Sequence, residues 1–380
     1  MRRFAPLLLL AACSADVEPV GTNAAAAVQA SNERPFAVRP IATFDEPWAM
    51  AFLPGPGPRA LITEKKGKLK LLWSDVGRVG EVAGAPAVDY GGQGGFGDVV
   101  LHPDFERNRL VYLSWVEAGA GNSRGAVVGR ARLVLEGAGA PRLEGLQVIW
   151  RQTPKLTGRG HYGHRIAFGP DGKLYISNGE RQEFDPAQDM GGTLGKIVRL
   201  NDDGTLPADN PFASRGGVAA QVWTLGHRNP LGLAFDAKGR LWEIEMGPKG
   251  GDELNLIERG RNYGYPIVSN GDHYDGKDIP DHPTRPEFEA PKLWWTPVIS
   301  PGDMILYSGN AFPKWKGDAL VAGLSSKALL LVDIDGDKAR EAERWDMGQR
   351  IREVEQGPDG SVYLLEDGPG GRLLKLTPSR

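Results

Sequence analysis

The chain repeats one pattern of hydrophobic and polar positions. An apolar run leads into a short segment rich in Gly, Pro and Asp, and a second apolar run follows. This pattern predicts two antiparallel strands joined by a tight turn. Six copies are present, and the anchor positions of successive copies lie 44 to 77 residues apart. The anchors are Phe52, Leu101, Phe168, Phe235, Phe312 and Gln356.

Six β units at such intervals predict an all-β fold, a six-bladed β-propeller with inserted loops where the intervals are longer. A single blade cannot bury both of its faces, whereas blades stacked in a ring can. The final run, Leu373–Leu376, is expected to pair with a strand near Phe36–Thr43 and so to close the ring. A pair of β-sandwiches is the alternative architecture. In a propeller, we expect the active site at the top of the central channel.

The first 13 residues differ from the rest. A charged start precedes an apolar run that ends in Leu10-Ala11-Ala12-Cys13. This order is similar to a bacterial lipoprotein signal, which implies export, acylation of Cys13 and anchorage on the periplasmic face of the outer membrane. An ordinary cleaved secretory signal is the alternative. Residues 14–34 lack periodicity and are interpreted as a flexible tether, with the propeller domain over residues 35–380.

The composition of the chain argues against several classes of function. The chain has 380 residues and a net charge of −3, so no basic surface for nucleic acid is indicated. No run of 18 apolar residues predicts a membrane-spanning helix, which leaves the lipid on Cys13 as the expected membrane contact. Cys13 is the only cysteine. The propeller domain therefore has neither a disulfide nor a thiol nucleophile.

The most informative hairpin surrounds Gly169–Gly172. Folding its arms about that turn places Phe168 opposite Lys173 and, at the open end, His161 opposite Glu180. A carboxylate beside an imidazole fixes its tautomer and stabilises its protonated form, which is the arrangement of an oriented general base. An exposed His–Glu pair of little consequence is the alternative interpretation.

Two further hairpins carry polar side chains at the same end. Arg228 and Asn229 take this place in the fourth copy, and Arg350 and Arg352 take it in the sixth. Converging guanidinium groups suit an anionic ligand, although salt bridges between blades would also explain the two late arginines. The glycine-rich segment Gln93–Gly97 is interpreted as a place where the backbone approaches a flat ligand.

Together, these motifs resemble those of a known family. They comprise Gly92-Gln93-Gly94-Gly95, His161, Gly226-His227-Arg228-Asn229-Pro230, Gly247-Pro248, Asp252-Glu253, Asn262-Tyr263-Gly264 and Arg350-Ile351-Arg352. From about Pro35 onward the chain is similar to the soluble PQQ-dependent glucose/sorbosone dehydrogenases of the aldose sugar dehydrogenase type. The resemblance implies a six-bladed propeller that oxidises aldoses at C1 to lactones with pyrroloquinoline quinone (PQQ).

The resemblance also implies roles for individual residues. His161 is the general base while hydride passes to PQQ, Glu180 orients it, and Arg228 polarises the quinone. The implied cofactor contacts are Gln93, Arg228, Asn229, Lys327, Arg350 and Arg352. Lys327 departs from the family pattern, in which a lysine directly follows Gly-Leu, because Ser325-Ser326-Lys327 follows Gly323-Leu324 here. Either Lys327 or Ser325 is expected to fill that position.

A metal site is implied in the same way. Ca²⁺ is expected on the cofactor, held by the carbonyl oxygens of Gly247 and Pro248. Glu253 and Tyr263 match positions that bind a further calcium in family members, and a loop-stabilising carboxylate is the alternative role for Glu253.

The inserted loop Val268–Pro291, which contains His273, Tyr274 and His282, is expected to shape the substrate mouth. Electrons are expected to pass on to an exported acceptor. Two other functions stay open: a propeller sugar lactonase and a non-catalytic binding module. A lactonase requires clustered acidic metal ligands in the channel, and the sequence predicts no such cluster at the hairpin ends.

Overall fold

The computed structural model describes residues 28–31, 33–135 and 140–379. The predicted signal, residues 1–13, and most of the predicted tether lie outside these ranges. The described residues form 26 strands, one short helix, α1 (Phe105–Asn108), and six short 3₁₀ segments. None of the helices in these ranges is long and apolar enough to cross a membrane.

The strands form six four-stranded antiparallel sheets, the blades of the expected propeller. The first strand, β1 (Phe36–Asp45), belongs to the last blade. Blade 1 contains β2 (Pro47–Leu53), β3 (Arg59–Glu64), β4 (Lys68–Trp73) and β5 (Arg78–Val82). Blade 2 contains β6 (Phe96–Leu101), β7 (Leu110–Ala118), β8 (Arg124–Val134) and β9 (Arg142–Arg151). Blade 3 contains β10 (Gly163–Phe168), β11 (Leu174–Asn178), β12 (Lys196–Leu200) and β13 (Val222–Leu225).

The second half of the ring is built in the same way. Blade 4 contains β14 (Pro230–Phe235), β15 (Leu241–Glu245), β17 (Asp252–Ile257) and β19 (Leu293–Trp295), and its loops add a ribbon of β16 (Lys249–Gly250) and β18 (Gly271–Asp272). Blade 5 contains β20 (Pro301–Leu306), β21 (Ala319–Gly323), β22 (Ala328–Asp335) and β23 (Lys338–Asp346). Blade 6 contains β24 (Ile351–Gln356), β25 (Val362–Glu366) and β26 (Pro369–Pro378), with β1 as its outer strand.

The ring closes as predicted, because β26 pairs with β1 and places Leu376 opposite Val38. An apolar cluster lies between each neighbouring pair of blades. Two details differ from the expectation. Leu306 ends β20, so the fifth anchor is Leu306 and not Phe312. Ser31 forms a bridge with Trp345 of blade 5, so ordered contacts begin before Pro35.

Each inner strand contains an irregularity in its register shortly after its start. In β10, Phe168 pairs with Leu174 rather than with Lys173, so the predicted register at the turn is wrong by one residue. The irregularity follows Gly163, which pairs with Asn178. In a bulge, two residues of one strand lie opposite one residue of the other. The extra residue of β10 shifts the pairing back by one, so the predicted register is correct again at the open end of the hairpin. The predicted proximity of His161 and Glu180 survives for this reason.

One guanidinium group near the channel axis links the blades. Arg165, on β10, forms ion pairs with Asp98, Asp303 and Glu353 of blades 2, 5 and 6. It also donates to the carbonyl oxygen of Leu231 in blade 4. Glu353 in turn accepts a hydrogen bond from the backbone N–H of Met50 in blade 1. All six blades thus contribute to one buried polar network.

Candidate active site

Two cavities occupy the two ends of the channel. The turn-end cavity, of about 560 Å³, is lined by the C-terminal ends of the inner strands, including Phe52, Leu101 and Phe235. The other, of about 240 Å³, lies where the inner strands begin, and we call it the upper cavity. Trp48 lines the upper cavity and packs over Arg165, with the guanidinium carbon 4.1 Å from the ring centroid. Four of the predicted cofactor contacts line the upper cavity: Gln93, Asn229, Arg350 and Arg352.

His161 does not itself line the upper cavity, but it adjoins two residues that do, Gln93 and Tyr162. Its Nδ1 atom is hydrogen-bonded to Glu180, and its Nε2 atom has no hydrogen-bond partner among the described residues. The His161 backbone has a φ of 46°, which is uncommon for a residue other than glycine. Its N–H donates to Oε1 of Gln93 at 2.7 Å. Gln93 therefore holds the backbone of the candidate base.

The electrostatics favour a neutral imidazole beside a charged carboxylate. Burial lowers the pKa of His161, the positive charges of Arg228 and Arg181 lower it further, and Glu180 opposes them. Burial alone would raise the pKa of Glu180, but His161 and the N–H of Phe184 hold that pKa below its usual value. With Nδ1–H donating to Glu180, Nε2 is an acceptor and can take a proton from a ligand hydroxyl.

Arg181, directly after Glu180, was not predicted. Its side chain is 1% exposed and donates to the carbonyl oxygens of Gly158, Gly160 and Arg124. Its guanidinium carbon lies 3.9 Å from the ring centroid of Tyr162, and it forms no ion pair with a described carboxylate. Arg181 thus fixes the segment that leads into His161 and acts as a positioning residue. This role could not be predicted from the sequence, because the acceptors of Arg181 are backbone carbonyl oxygens, which every residue has.

Cationic side chains gather on another side of the upper cavity. Arg350 and Arg352 both line it and share Asp367 as an acceptor at 2.8 and 3.1 Å. Burial would raise the pKa of Asp367, but Arg352 and Arg350 outweigh it and hold the pKa below its usual value. Lys65, which the sequence analysis did not select, also lines the cavity. The site therefore offers three cationic groups to an anionic ligand.

Lys327 and Ser325 are both exposed, and neither lines the upper cavity. Only Leu324 of that turn does. The structure therefore does not bring Lys327 together with the other predicted cofactor contacts, and Lys65 supplies an amino group instead. Lys65 lies in the turn between β3 and β4, far along the chain from the other cations, so spacing alone could not select it.

Asn229 and Arg228 lie where the fourth hairpin was expected to present them. Asn229 lines the upper cavity, and its Oδ1 accepts a hydrogen bond from the N–H of Gly163 at 3.2 Å. Arg228 donates through Nη1 to the carbonyl oxygens of Met246 and Gly247. Its Nε is buried without a hydrogen-bond partner in the described part of the chain. A buried donor without an acceptor is costly, so this atom suits an electronegative ligand atom.

The four predicted metal residues Gly247, Pro248, Glu253 and Tyr263 line one small cavity of about 10 Å³, together with Arg228. That volume suits a single water-sized or ion-sized occupant. The carbonyl oxygen of Gly247 already faces a positive group, because it accepts from Arg228 at 2.6 Å. The Tyr263 hydroxyl donates to the carbonyl oxygen of Leu256, so its side chain is engaged elsewhere. Carbonyl and carboxylate oxygens together suit Ca²⁺.

A buried acidic cluster adjoins this small cavity. Glu245 lies opposite Glu253 in the β15–β17 pair, and Glu243 lies two residues before Glu245 on the same face. All three are at most 7% exposed, and Nδ1 of His227 is 3.2 Å from Glu245. Burial, reinforced by Glu245, raises the pKa of Glu243 well above its usual value. Glu243 and Glu245 were not predicted from the sequence. A cation beside the cluster would favour the charged forms of its carboxylates.

The glycine-rich segment packs tightly against other protein atoms. A Cβ atom on Gly95 would lie 2.3 Å from the carbonyl oxygen of Lys65, and one on Gly97 would lie 1.9 Å from the ring of His164. These two glycines therefore allow close approach of other protein atoms, while Gln93 at the start of the segment lines the upper cavity. His164 itself stacks on Trp48, with ring centroids 5.0 Å apart, and forms part of the cavity floor.

Comparisons with known proteins agree with this geometry. The sequence model of the Glucose / Sorbosone dehydrogenase family matches residues 44–375. The chain is 38% identical over 341 residues to aldose sugar dehydrogenase YliI of Escherichia coli (strain K12), covering 88% of this chain and 90% of that protein. A crystal structure of a glucose dehydrogenase has a TM-score of 0.85 and 42% identity, covering 90% of this chain and all of the other.

A PQQ-bound aldose sugar dehydrogenase of Streptomyces coelicolor superimposes with a TM-score of 0.73 at 28% identity, covering 92% of this chain and 99% of the other. The family match extends over nearly the whole propeller. On these grounds, the chain belongs to the glucose/sorbosone dehydrogenase family.

Proposed function

We propose that the protein is a PQQ- and Ca²⁺-dependent aldose dehydrogenase that oxidises C1 of a sugar to the lactone. The observation that carries this proposal is the buried His161–Glu180 pair next to a cavity lined by Lys65, Arg350 and Arg352. A proton acceptor beside three cationic groups suits an oxidation that needs a base and a polyanionic cofactor. The PQQ-bound relative supports the choice of cofactor.

The residues have separate roles in the proposed reaction. Nε2 of His161 takes the proton from the anomeric hydroxyl, and Glu180 stabilises the imidazolium that forms. PQQ, when bound, supplies the two-electron acceptor for the hydride that leaves C1. Arg350, Arg352 and Lys65, which line the upper cavity, would pair with its carboxylates. Arg228, which lines the small neighbouring cavity, would donate to it through its unpartnered Nε. A cation held by Gly247 and Pro248 would supply a Lewis acid.

The donor set of the small cavity supports Ca²⁺ as that cation. The carbonyl oxygens of Gly247 and Pro248 and the carboxylate of Glu253 are hard ligands. A bound divalent cation would also compensate the neighbouring charges of Glu243 and Glu245. We propose in addition that the protein is exported and anchored through Cys13, so that electrons leave to an exported acceptor.

A lactonase is the other enzyme class that was considered. The acidic residues beside the site are buried, whereas a lactonase metal must be open to substrate and water. The upper cavity is lined by three cationic side chains, Lys65, Arg350 and Arg352, and by two carboxylates, Glu46 and Asp367, of which Asp367 is paired with both arginines. This arrangement favours the dehydrogenase.

A reconstitution experiment tests the proposal. Purified protein is mixed with PQQ and CaCl₂, and dye reduction is followed with glucose and with xylose, while the melting temperature reports binding independently. We expect turnover only when both additions are present, and a higher melting temperature because ligands that bind the folded state stabilise it. EGTA should reverse both effects. Absence of turnover with every aldose, together with an unchanged melting temperature, would reject the proposed function.

A further inference from the structure

Lys196 carries a buried amino group that the proposed mechanism does not use. It is the first residue of β12, and its side chain is 0% exposed. Burial lowers the pKa of Lys196, and the charge of Asp189 opposes this shift only in part. Because an amino group loses free energy of hydration when it leaves water, a lysine in this position needs compensation from its surroundings.

Three carbonyl oxygens supply this compensation. Nζ of Lys196 donates to the carbonyl oxygens of Pro186, Ala187 and Leu194 at 2.8, 2.9 and 2.8 Å. A protonated amino group has three N–H donors, so each of these oxygens can receive one. All three oxygens belong to the loop between β11 and β12, residues 179–195, which we call the β11–β12 loop. Lys196 thus ties the middle of this loop to its end.

The middle of the β11–β12 loop holds Glu180. The N–H of Ala187 donates to the carbonyl oxygen of Phe184 at 3.0 Å. The N–H of Phe184 donates to Oε2 of Glu180 at 2.7 Å, and Oε1 of Glu180 binds His161. A series of hydrogen bonds therefore connects Nζ of Lys196 to the carboxylate that orients the proposed base.

The β11–β12 loop also lies against the segment that carries Arg228. The carbonyl oxygen of Gly195 accepts a hydrogen bond from the N–H of His227 at 3.1 Å. A Cβ atom on Gly195 would lie 2.6 Å from the Cβ of Ala187 and 2.6 Å from the carbonyl oxygen of His227. Protein interiors packed this closely transmit small displacements. A change at Lys196 should therefore reach the other contacts of the loop.

We propose that Lys196 is a positioning residue for the proposed base. Its ammonium group fixes the β11–β12 loop, and the loop presents the N–H of Phe184 to Glu180. Glu180 then keeps the ring of His161 in the tautomer whose Nε2 can accept a proton. Lys196 lines neither the upper cavity nor the small cavity, so it acts only through the loop. This inference rests on the proposed function, in which His161 is the base.

The first measurement is the steady-state kinetics of the reconstituted holoenzyme with glucose. Lys196→Met keeps an unbranched side chain of similar length and removes the three donors. We expect kcat to fall about tenfold because the base is misoriented, while the KM for glucose and the PQQ affinity stay within about twofold. Lys173→Met is the matched control, because Lys173 lies at the far end of the same blade and donates to Asn201. It should change none of these values.

The second measurement is the tautomer of His161, which does not require PQQ. It is obtained from the ring ¹⁵N resonances of histidine-labelled apoprotein at a pH where the ring is neutral, with His161→Asn for assignment. Wild type should carry the proton on Nδ1, and Lys196→Met should show an average of both tautomers because Glu180 is no longer held. An unchanged tautomer would overturn the positioning role, even if kcat falls, and so would an unchanged kcat.

A second variant covers the case in which Lys196→Met does not fold. Lys196→Arg keeps the charge, but a planar guanidinium group cannot direct one N–H to each of three oxygens around a single point. The same changes are expected to a smaller extent, and a wild-type tautomer would reject the proposal. If the wild-type protein oxidises no aldose, the proposed function fails, and the tautomer of His161 in the apoprotein still decides the role of Lys196.

Discussion

The proposed chemistry depends on how His161 is held. Its ring is oriented by Glu180, its backbone by Gln93, and the segment before it by Arg181. The same surroundings lower its pKa, chiefly through burial and then through the charges of Arg228 and Arg181. A lowered pKa keeps the imidazole in its neutral form, which accepts a proton, to a lower pH than for a free histidine.

Replacing Arg181 tests this view of the base. In Arg181→Met, a positive charge near His161 is lost, so the pKa of His161 rises. Activity requires the neutral imidazole and disappears as the pH falls through that pKa. The acid limb of the kcat/KM profile should therefore move to higher pH, and kcat should fall about tenfold or more because the segment loses its anchor.

Arg181→Lys is the control for charge. It keeps the positive charge but cannot reproduce the planar donor geometry, so the acid limb should stay near its wild-type position while kcat recovers only in part. An acid limb that stays in place in Arg181→Met, or moves to lower pH, would contradict the assigned role.

Individual residues show how far the sequence could lead. His161, Glu180 and the two late arginines were found because each lies at a hairpin end, where counting along two strands gives a neighbour. Lys65 and Arg181 were missed, since their partners are backbone atoms or residues from other blades. Lys327 was selected by resemblance alone, and it lies exposed outside the cavity.

Among the strands and loops, the hairpins were predictable and their registers were not. An apolar run, a Gly-rich turn and a second run identify two strands, but nothing in that pattern marks a bulge. The bulge after Gly163 shifts the pairing by one residue, and a similar irregularity recurs in each inner strand. Bulges bend the strands on which they occur and are common next to active sites, and these bulges lie at the end of the strands where the upper cavity is found.

The loops of blade 4 were the least predictable part. The insertion Val268–Pro291 was expected to shape the substrate mouth, and its Tyr274 lies with its ring centroid 6.0 Å from the guanidinium carbon of Arg228. His282 from the same insertion is 4% exposed and its Nε2 is 3.6 Å from Glu253. Tyr274 and His282 lie in different places because β18 pairs with β16 between them and Gly247–Pro248. This ribbon has two residues in each strand, so it leaves no periodic signal in the sequence.

For the whole propeller, the Arg165 network makes a distinct prediction. Burial raises the pKa of Asp303 to about 7 and that of Glu353 well above its usual value, and Arg165 counteracts both shifts. Arg165→Met removes the positive charge that Asp98, Asp303 and Glu353 share. We expect a loss of about 3–5 kcal/mol in the free energy of unfolding.

The loss of stability in Arg165→Met should depend on pH, and this dependence distinguishes a lost charge from lost packing. Without Arg165, the pKa values of Asp303 and Glu353 rise further in the folded state, so the folded protein binds more protons than the unfolded chain. Stability then falls as the pH rises through those values. Urea unfolding should show a larger loss in Arg165→Met at pH 8 than at pH 6. An equal loss at both pH values would mean that the network does not carry this charge balance.

The most direct test of the central claim is His161→Asn, chosen because asparagine tolerates the left-handed backbone at this position. PQQ affinity is measured by difference spectroscopy in the presence of Ca²⁺, and turnover is measured with glucose. The proposed mechanism predicts an affinity within about twofold of wild type and a kcat lower by about 10²-fold or more, because only the proton acceptor is lost. Turnover close to that of wild type, with PQQ bound, would show that His161 is not the base.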